Sequence, residues 1–237
     1  MSRSGKDVGK LRFFVDVDVA SNSVIIEDAH LLAQWRTVLR LKEGNEVVLI
    51  DPTGVEAVAV IAELTKKNAV LTIVDRHQNN NEPAREVTLY CAMLKRENFE
   101  WVAQKAVETG VTRLVPMMTE RTVKLGFKRE RLETIMREAA EQSGRGKIPA
   151  LNDPLSFEQA VADSAPINSR YFFDVGATVQ PKAANMHAVA LFVGPEGGWS
   201  EGERAQAATS GMLSVGLGNR VLRAETAAVI ATYLFAA

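Results

Sequence analysis

Apolar and polar positions follow two different rhythms along the 237 residues of this chain. In the first third the apolar stretches are short, at residues 11–17, 46–50, 55–64 and 69–74, and turn residues bound them, which predicts strands. Asp51-Pro52-Thr53-Gly54 supplies a turn between two of them. Residues 29–41 break the pattern, because Leu32, Trp35 and Leu39 fall on one face of a helix. Short strands in this number predict a small β-barrel of about seventy residues.

A polar run at residues 75–86, DRHQNNNEPARE, marks a boundary, with a linker at 77–86 separating residues 1–76 from 87–237. Beyond it strands and helices alternate. Residues 87–94, 111–117, 171–175, 188–193 and 212–217 read as strands. Helices are predicted at 97–109, with Phe99, Val102, Ala103 and Ala106 on one stripe, and at 128–142, with Leu132, Ile135, Met136 and Ala139. Ser156 with Gln159, and Ser200 with Glu203, match capping boxes that open two more. Such alternation predicts an α/β domain, a parallel sheet with helices on both faces. The last helix, 225–237, is apolar nearly all round and predicts a symmetric subunit interface, a homodimer.

Two glycine-rich strings at strand-to-helix turns carry the candidate chemistry: LFVGPEGGWSEGE at 191–203 and VGLGNRVLRAETA at 215–227. Ligands of open α/β sheets bind at such turns, where bare backbone N–H groups face outward. Their spacing of about twenty residues suggests one ligand held between neighbouring loops. Neither string is a GxGxxG dinucleotide fingerprint or a P-loop. Glu196 would repel a phosphate and suits a ligand that is positively charged or donates hydrogen bonds, as S-adenosylmethionine does.

Composition narrows the remaining classes. Hydrophobic content of 46% and charged content of 24% are ordinary for a soluble globular protein. No apolar run is long enough to cross a membrane and the N-terminus has no signal-like apolar region, so a cytoplasmic location is expected. The single cysteine, Cys91, excludes a disulfide framework and reads as a buried, inert thiol. His30, His77 and His187 are scattered without metal-ligand spacing, so no metal is expected. The net charge of −1 says nothing for nucleic acid, but the charge is uneven. Residues 113–147 hold nine basic and five acidic side chains, and Arg3, Lys6, Lys10 and Arg12 face one acid near the N-terminus. Such patches can supply phosphate contacts.

VGPEGGWSEGE followed by LGNRVLRAETAA resembles the closing signature of the ribosomal RNA small subunit methyltransferase E family. The likeness extends upstream through LKRENFEWVAQKAVETGVTRLVPMMTERTV, REAAEQSGRGKIPAL, LRFFVD and VLRLKEGNEVVLID, nearly the whole chain. It implies a SPOUT-type, trefoil-knotted, parallel-sheet methyltransferase domain preceded by a small PUA-like β-barrel that binds RNA. It also implies an enzyme that methylates N3 of a uridine in 16S ribosomal RNA with S-adenosylmethionine. The cofactor pocket would combine the two signature loops with the loop after Val175. The alternative is an RNA-binding or ribosome-assembly protein with a non-catalytic cofactor loop.

Under this reading the cofactor lies against Val193, Gly194, Pro195, Glu196, Gly197 and Gly198, and against Val215, Leu217, Gly218, Arg220 and Leu222. Arg223 is the expected catalytic residue, stabilising the uridine anion as N3 loses its proton, and Glu196 could contact the cofactor or accept that proton. Glu225, at a helix start, reads as structural or orienting. The 16S RNA or small ribosomal subunit would be held by Arg12, Phe13, Arg40, Lys95, Arg121 and Arg145. Trp35 and Trp101 are expected inside, and Trp199 in an exposed loop where it could stack on a base or cover the cofactor.

Overall fold

The computed structural model describes residues 10–122, 126–180 and 187–236. The expected contributions of Arg3 and Lys6 lie outside the described residues. By its contacts the chain forms two compact units, Met1–Glu82 with Ala140–Lys147, and Pro83–Ala139 with Ile148–Ala237.

The first unit is a five-stranded curled sheet built from β1 (Arg12–Phe14), β2 (Ser23–Ile26), β3 (Glu46–Ile50), β4 (Val55–Leu64) and β5 (Ala69–Gln78), in the order β1-β3-β4-β5-β2. Only the β1–β3 pair is parallel. Alternate residues point to one side, so Val47 and Leu49, Ala57, Ala59 and Ile61, and Leu71 and Ile73 share one core. Leu32 and Trp35 fill it from above, with Phe13 tilted on the indole at 5.0 Å. No pairing joins β1 to β2 among the described residues, so the expected barrel is a half-barrel. The expected helix at 29–41 is shorter. Asp28 caps α1 (Ala29–Ala33), one π-helical turn follows at Gln34–Val38, and Arg40 in the left-handed region (φ 55°) prevents continuation.

The second unit contains β6 (Glu86–Ala92), α2 (Arg96–Glu108), β7 (Arg113–Met118), most of α3 (Arg129–Ser143), β8 (Ala150–Leu151), β9 (Leu155–Ser156) and α4 (Phe157–Asp163). It continues with β10 (Ser169–Phe173), β11 (Ala188–Val193), α5 (Glu201–Thr209), β12 (Leu213–Val215) and α6 (Ala224–Ala236). All its strands pair in parallel, in the order β12-β10-β11-β6-β7-β8, with β9 also on β7. Register separates the two faces. Tyr90, Phe172 and Phe192 lie on one face and meet Phe157 of α4 and Ala207 of α5. Tyr171 lies on the other and packs on Phe235 of α6 at 4.4 Å. Both faces are therefore covered, which is why these strands are apolar almost throughout.

Candidate active site

The site begins with register. Phe173 pairs with Val193 on one side and Val215 on the other, so β10, β11 and β12 end at the same level and their following loops emerge together. Ligands of open parallel sheets bind at this carboxyl edge. Val193 and Val215 are buried there, as the ends of their strands.

Each loop is tied to its neighbour by named contacts. Gly216 N–H donates to the Val179 carbonyl at 2.9 Å, and a Cβ at Gly216 would stand 2.2 Å from the Ala177 oxygen, so only glycine fits beneath that segment. Arg204 donates to both carboxylate oxygens of Asp174, at 2.7 and 3.1 Å, and to the Trp199 carbonyl at 2.7 Å. The Ser200–Glu203 capping box is formed, and Glu203 also accepts the Glu120 N–H at 2.9 Å. Arg121 donates to the Gly197 carbonyl at 2.9 Å. Rigid loops of this kind present their free backbone groups at fixed positions.

The glycines divide by what lies beside them. At Gly194 a side chain would strike the Trp199 indole, and at Gly197 it would press on Arg121, so these two serve close packing inside the protein. Gly198 (φ 68°) and Gly218 (φ 96°) are left-handed and face open space, the condition for backbone approach by a ligand. Pro195 is buried, Leu217 and Leu222 are half-buried, and Glu196 and Arg220 are exposed on the rim of the two loops.

Electrostatics completes the arrangement. The Arg223 side chain is 84% exposed, and its nearest acid, Glu225, lies 3.9 Å away. Glu225 is mostly buried, and its Oε2 has no hydrogen-bond partner. Burial, followed by the charges of Glu196 and Glu225, pushes the Cys91 thiol well above its ordinary range. A buried carboxylate oxygen without a donor is costly unless a ligand supplies one. A ligand carrying an amino group would meet that need.

Several expected contacts have other surroundings. Phe13 is 3% exposed and belongs to the core of the first unit, so it is closed to RNA. Arg12 pairs with buried Glu56, which also contacts His77 and Asn79. Arg145, 4% exposed, makes a two-point pair with Glu82 at 2.7 and 3.0 Å and is likewise unavailable to phosphate. Arg40 and Lys95 are exposed. Trp35 is buried as expected, but the other two indoles are exchanged relative to expectation. Trp101 is 41% exposed, whereas Trp199 is buried against Phe172 and Phe157 and donates to the Phe173 carbonyl at 2.8 Å. Trp199 therefore supports the loop from beneath and does not cover a ligand. Asp174 and Arg204 escaped sequence reasoning because neither belongs to a motif; their pairing spans thirty positions.

These features define an RNA methyltransferase of the knotted parallel-sheet class. The model of the RNA methyltransferase domain matches residues 80–236, and that of the RNA methyltransferase PUA domain matches 36–74. The chain is 35% identical over 203 residues to ribosomal RNA small subunit methyltransferase E of Synechocystis, covering 82% of this chain and 66% of that protein. The crystal structure of the Neisseria gonorrhoeae ribosomal RNA small subunit methyltransferase E bound to S-adenosylmethionine superposes with a TM-score of 0.85 at 29% identity, over 94% of this chain and 95% of that one. A Legionella pneumophila protein in complex with the same cofactor gives a TM-score of 0.82 at 29% identity, with the same coverages. The chain belongs to the ribosomal RNA small subunit methyltransferase E family.

Proposed function

We propose that this protein transfers a methyl group from S-adenosylmethionine to N3 of a uridine in the 16S RNA of the small ribosomal subunit, acting as a homodimer. The observation that carries the reading is the junction of three loops at one sheet edge, where Gly198 and Gly218 are left-handed and face open space; a buried Glu225 oxygen without a partner supports it. When bound, S-adenosylmethionine supplies a methyl group already activated by its sulfonium.

The protein's own residues have three tasks. Backbone groups of 193–198 and 215–222 hold the cofactor, and the Glu225 carboxylate faces its cationic end. Arg223, exposed beside that pocket, holds the uracil carbonyls and stabilises the negative charge that grows as N3 loses its proton. Glu196, exposed on the adjoining turn, receives that proton directly or through water. Among the described residues no group of His, Cys, Asp and Glu is arranged to hold a metal ion, and no helix is long and apolar enough to cross a membrane.

The dimer reading rests on α6. Ala228, Ala231, Thr232 and Phe235 are buried, while Ile230, Tyr233 and Leu234 stand exposed on one face at helical spacing. A second copy would cover them.

The test is mass mapping of methylated nucleotides in 16S RNA from cells with and without this protein, alongside transfer of labelled methyl to subunits from the deficient cells. Loss of one N3-methyluridine, restored by the protein and cofactor, is expected. An unchanged map would refute the assignment.

A further inference from the structure

Beyond Cys91 the carboxyl end of β6 runs into a hollow that the methyl-transfer reading leaves unused. It is shallow, open to solvent, and takes its apolar walls from Met93, Leu94, Phe99 and Phe127.

The aromatic wall is fixed in advance. The Arg129 guanidinium stands over the Phe127 ring, 5.6 Å from its centroid. Arg129 is itself held by Glu133 at 3.1 Å, Asp153 at 2.8 Å and the Leu151 carbonyl at 3.0 Å.

Charge at the hollow favours an anion-bearing ligand. Its one acid, Glu100, is engaged by Arg96 at 3.0 Å and Arg131 at 3.4 Å. Lys128 at the hollow and nearby Lys95 are exposed and have no ion-pair partner among the described residues. A small apolar slot with an aromatic wall and surplus cations suits a nucleobase with its phosphate.

Position decides which base. Cys91 pairs with Val193, so the hollow opens from the same sheet edge as the 194–200 loop, one strand over. Arg121 touches Gly197, and six residues further on Phe127 walls the slot. The reacting uridine must meet the cofactor loops, so the slot is left for a different nucleotide.

We propose that this hollow receives an unpaired base of the RNA substrate next to the methylated uridine, stacked on Phe127, with Lys95 and Lys128 on its flanking phosphates. The proposal rests on the RNA-methylation reading above.

It is tested with small ribosomal subunits purified from cells lacking this protein, using labelled methyl transfer. Phe127→Ala should raise KM for subunits about tenfold, as expected for one lost base stack, with S-adenosylmethionine affinity by calorimetry unchanged within about twofold. Phe127→Trp should restore KM. A wild-type protein that methylates no subunit RNA overturns the methylation reading itself. An active wild type with unchanged KM in the alanine variant overturns the slot alone. Should the alanine variant fail to fold, a photo-crosslinking phenylalanine at position 127 decides: attachment within about two nucleotides of the methylated uridine supports the slot. Attachment elsewhere, or none, removes it.

Discussion

Arg223 and Arg145 both stand near glycines in the sequence, yet one is 84% exposed and the other has a side chain only 4% exposed. That difference sets what each can do. Arg223→Ala should leave S-adenosylmethionine affinity nearly unchanged while slowing single-turnover methyl transfer by about two to three orders of magnitude, since its donors act on charge that grows in the transition state. Arg223→Lys should recover little, lacking the planar fork. Arg145→Ala should instead lower unfolding free energy by roughly 2 kcal/mol in a denaturant titration, because it removes the two-point charged pair and leaves the Glu82 carboxylate only the Gly146 and Lys147 N–H groups. In sequence the two look alike. The Arg145 partner lies sixty-three positions away, and no local pattern reports a pairing of that span. The left-handed turns at Gly198 and Gly218 were legible because their backbone requirement is local, as was the burial of Trp35; the places of Trp101 and Trp199 were not, because Trp199 is buried by Phe172, a residue of another strand.

At the scale of elements, helix starts read well wherever a side chain announces them, as Ser156 and Ser200 do. Strand β2 was missed: its four residues alternate exposed and buried, too briefly to register as a period. The two-residue strands β8 and β9 exist only through pairing with β7. Strand order is equally invisible, since nothing in residues 169–173 says that they lie between β11 and β12. One cross-element knot of side chains has a measurable consequence. Asp163 of α4 accepts from Tyr90 of β6 at 2.5 Å and Arg113 of β7 at 2.8 Å. Burial alone would raise its pKa, but the hydrogen bonds from Tyr90 and Arg113 and the Arg113 charge outweigh burial and hold the carboxyl below its usual range. A lowered folded value means that its stabilisation is complete above the unfolded value of about 3.9 and disappears as pH falls through the folded one. Asp163→Asn should therefore be less stable than wild type at neutral pH, with the difference narrowing below about pH 4; parallel urea titrations across that range check it.

For the whole molecule, the alternation of strands and helices disclosed the α/β architecture, and the apolar last helix disclosed a surface needing cover. On the proposed homodimer, Ile230→Glu should give monomers by light scattering at micromolar concentration, where the wild type is expected to pair, with the far-ultraviolet dichroism retained because Ile230 is 37% exposed and outside the core. A wild type that is monomeric at micromolar concentration would remove the dimer from the account. The close passage of Gly216 beneath residues 177–179 reaches further than packing. In a chain of the knotted class the stretch after Gly216 is drawn past another stretch of the same chain, so the path itself constrains the order of assembly as well as the contacts.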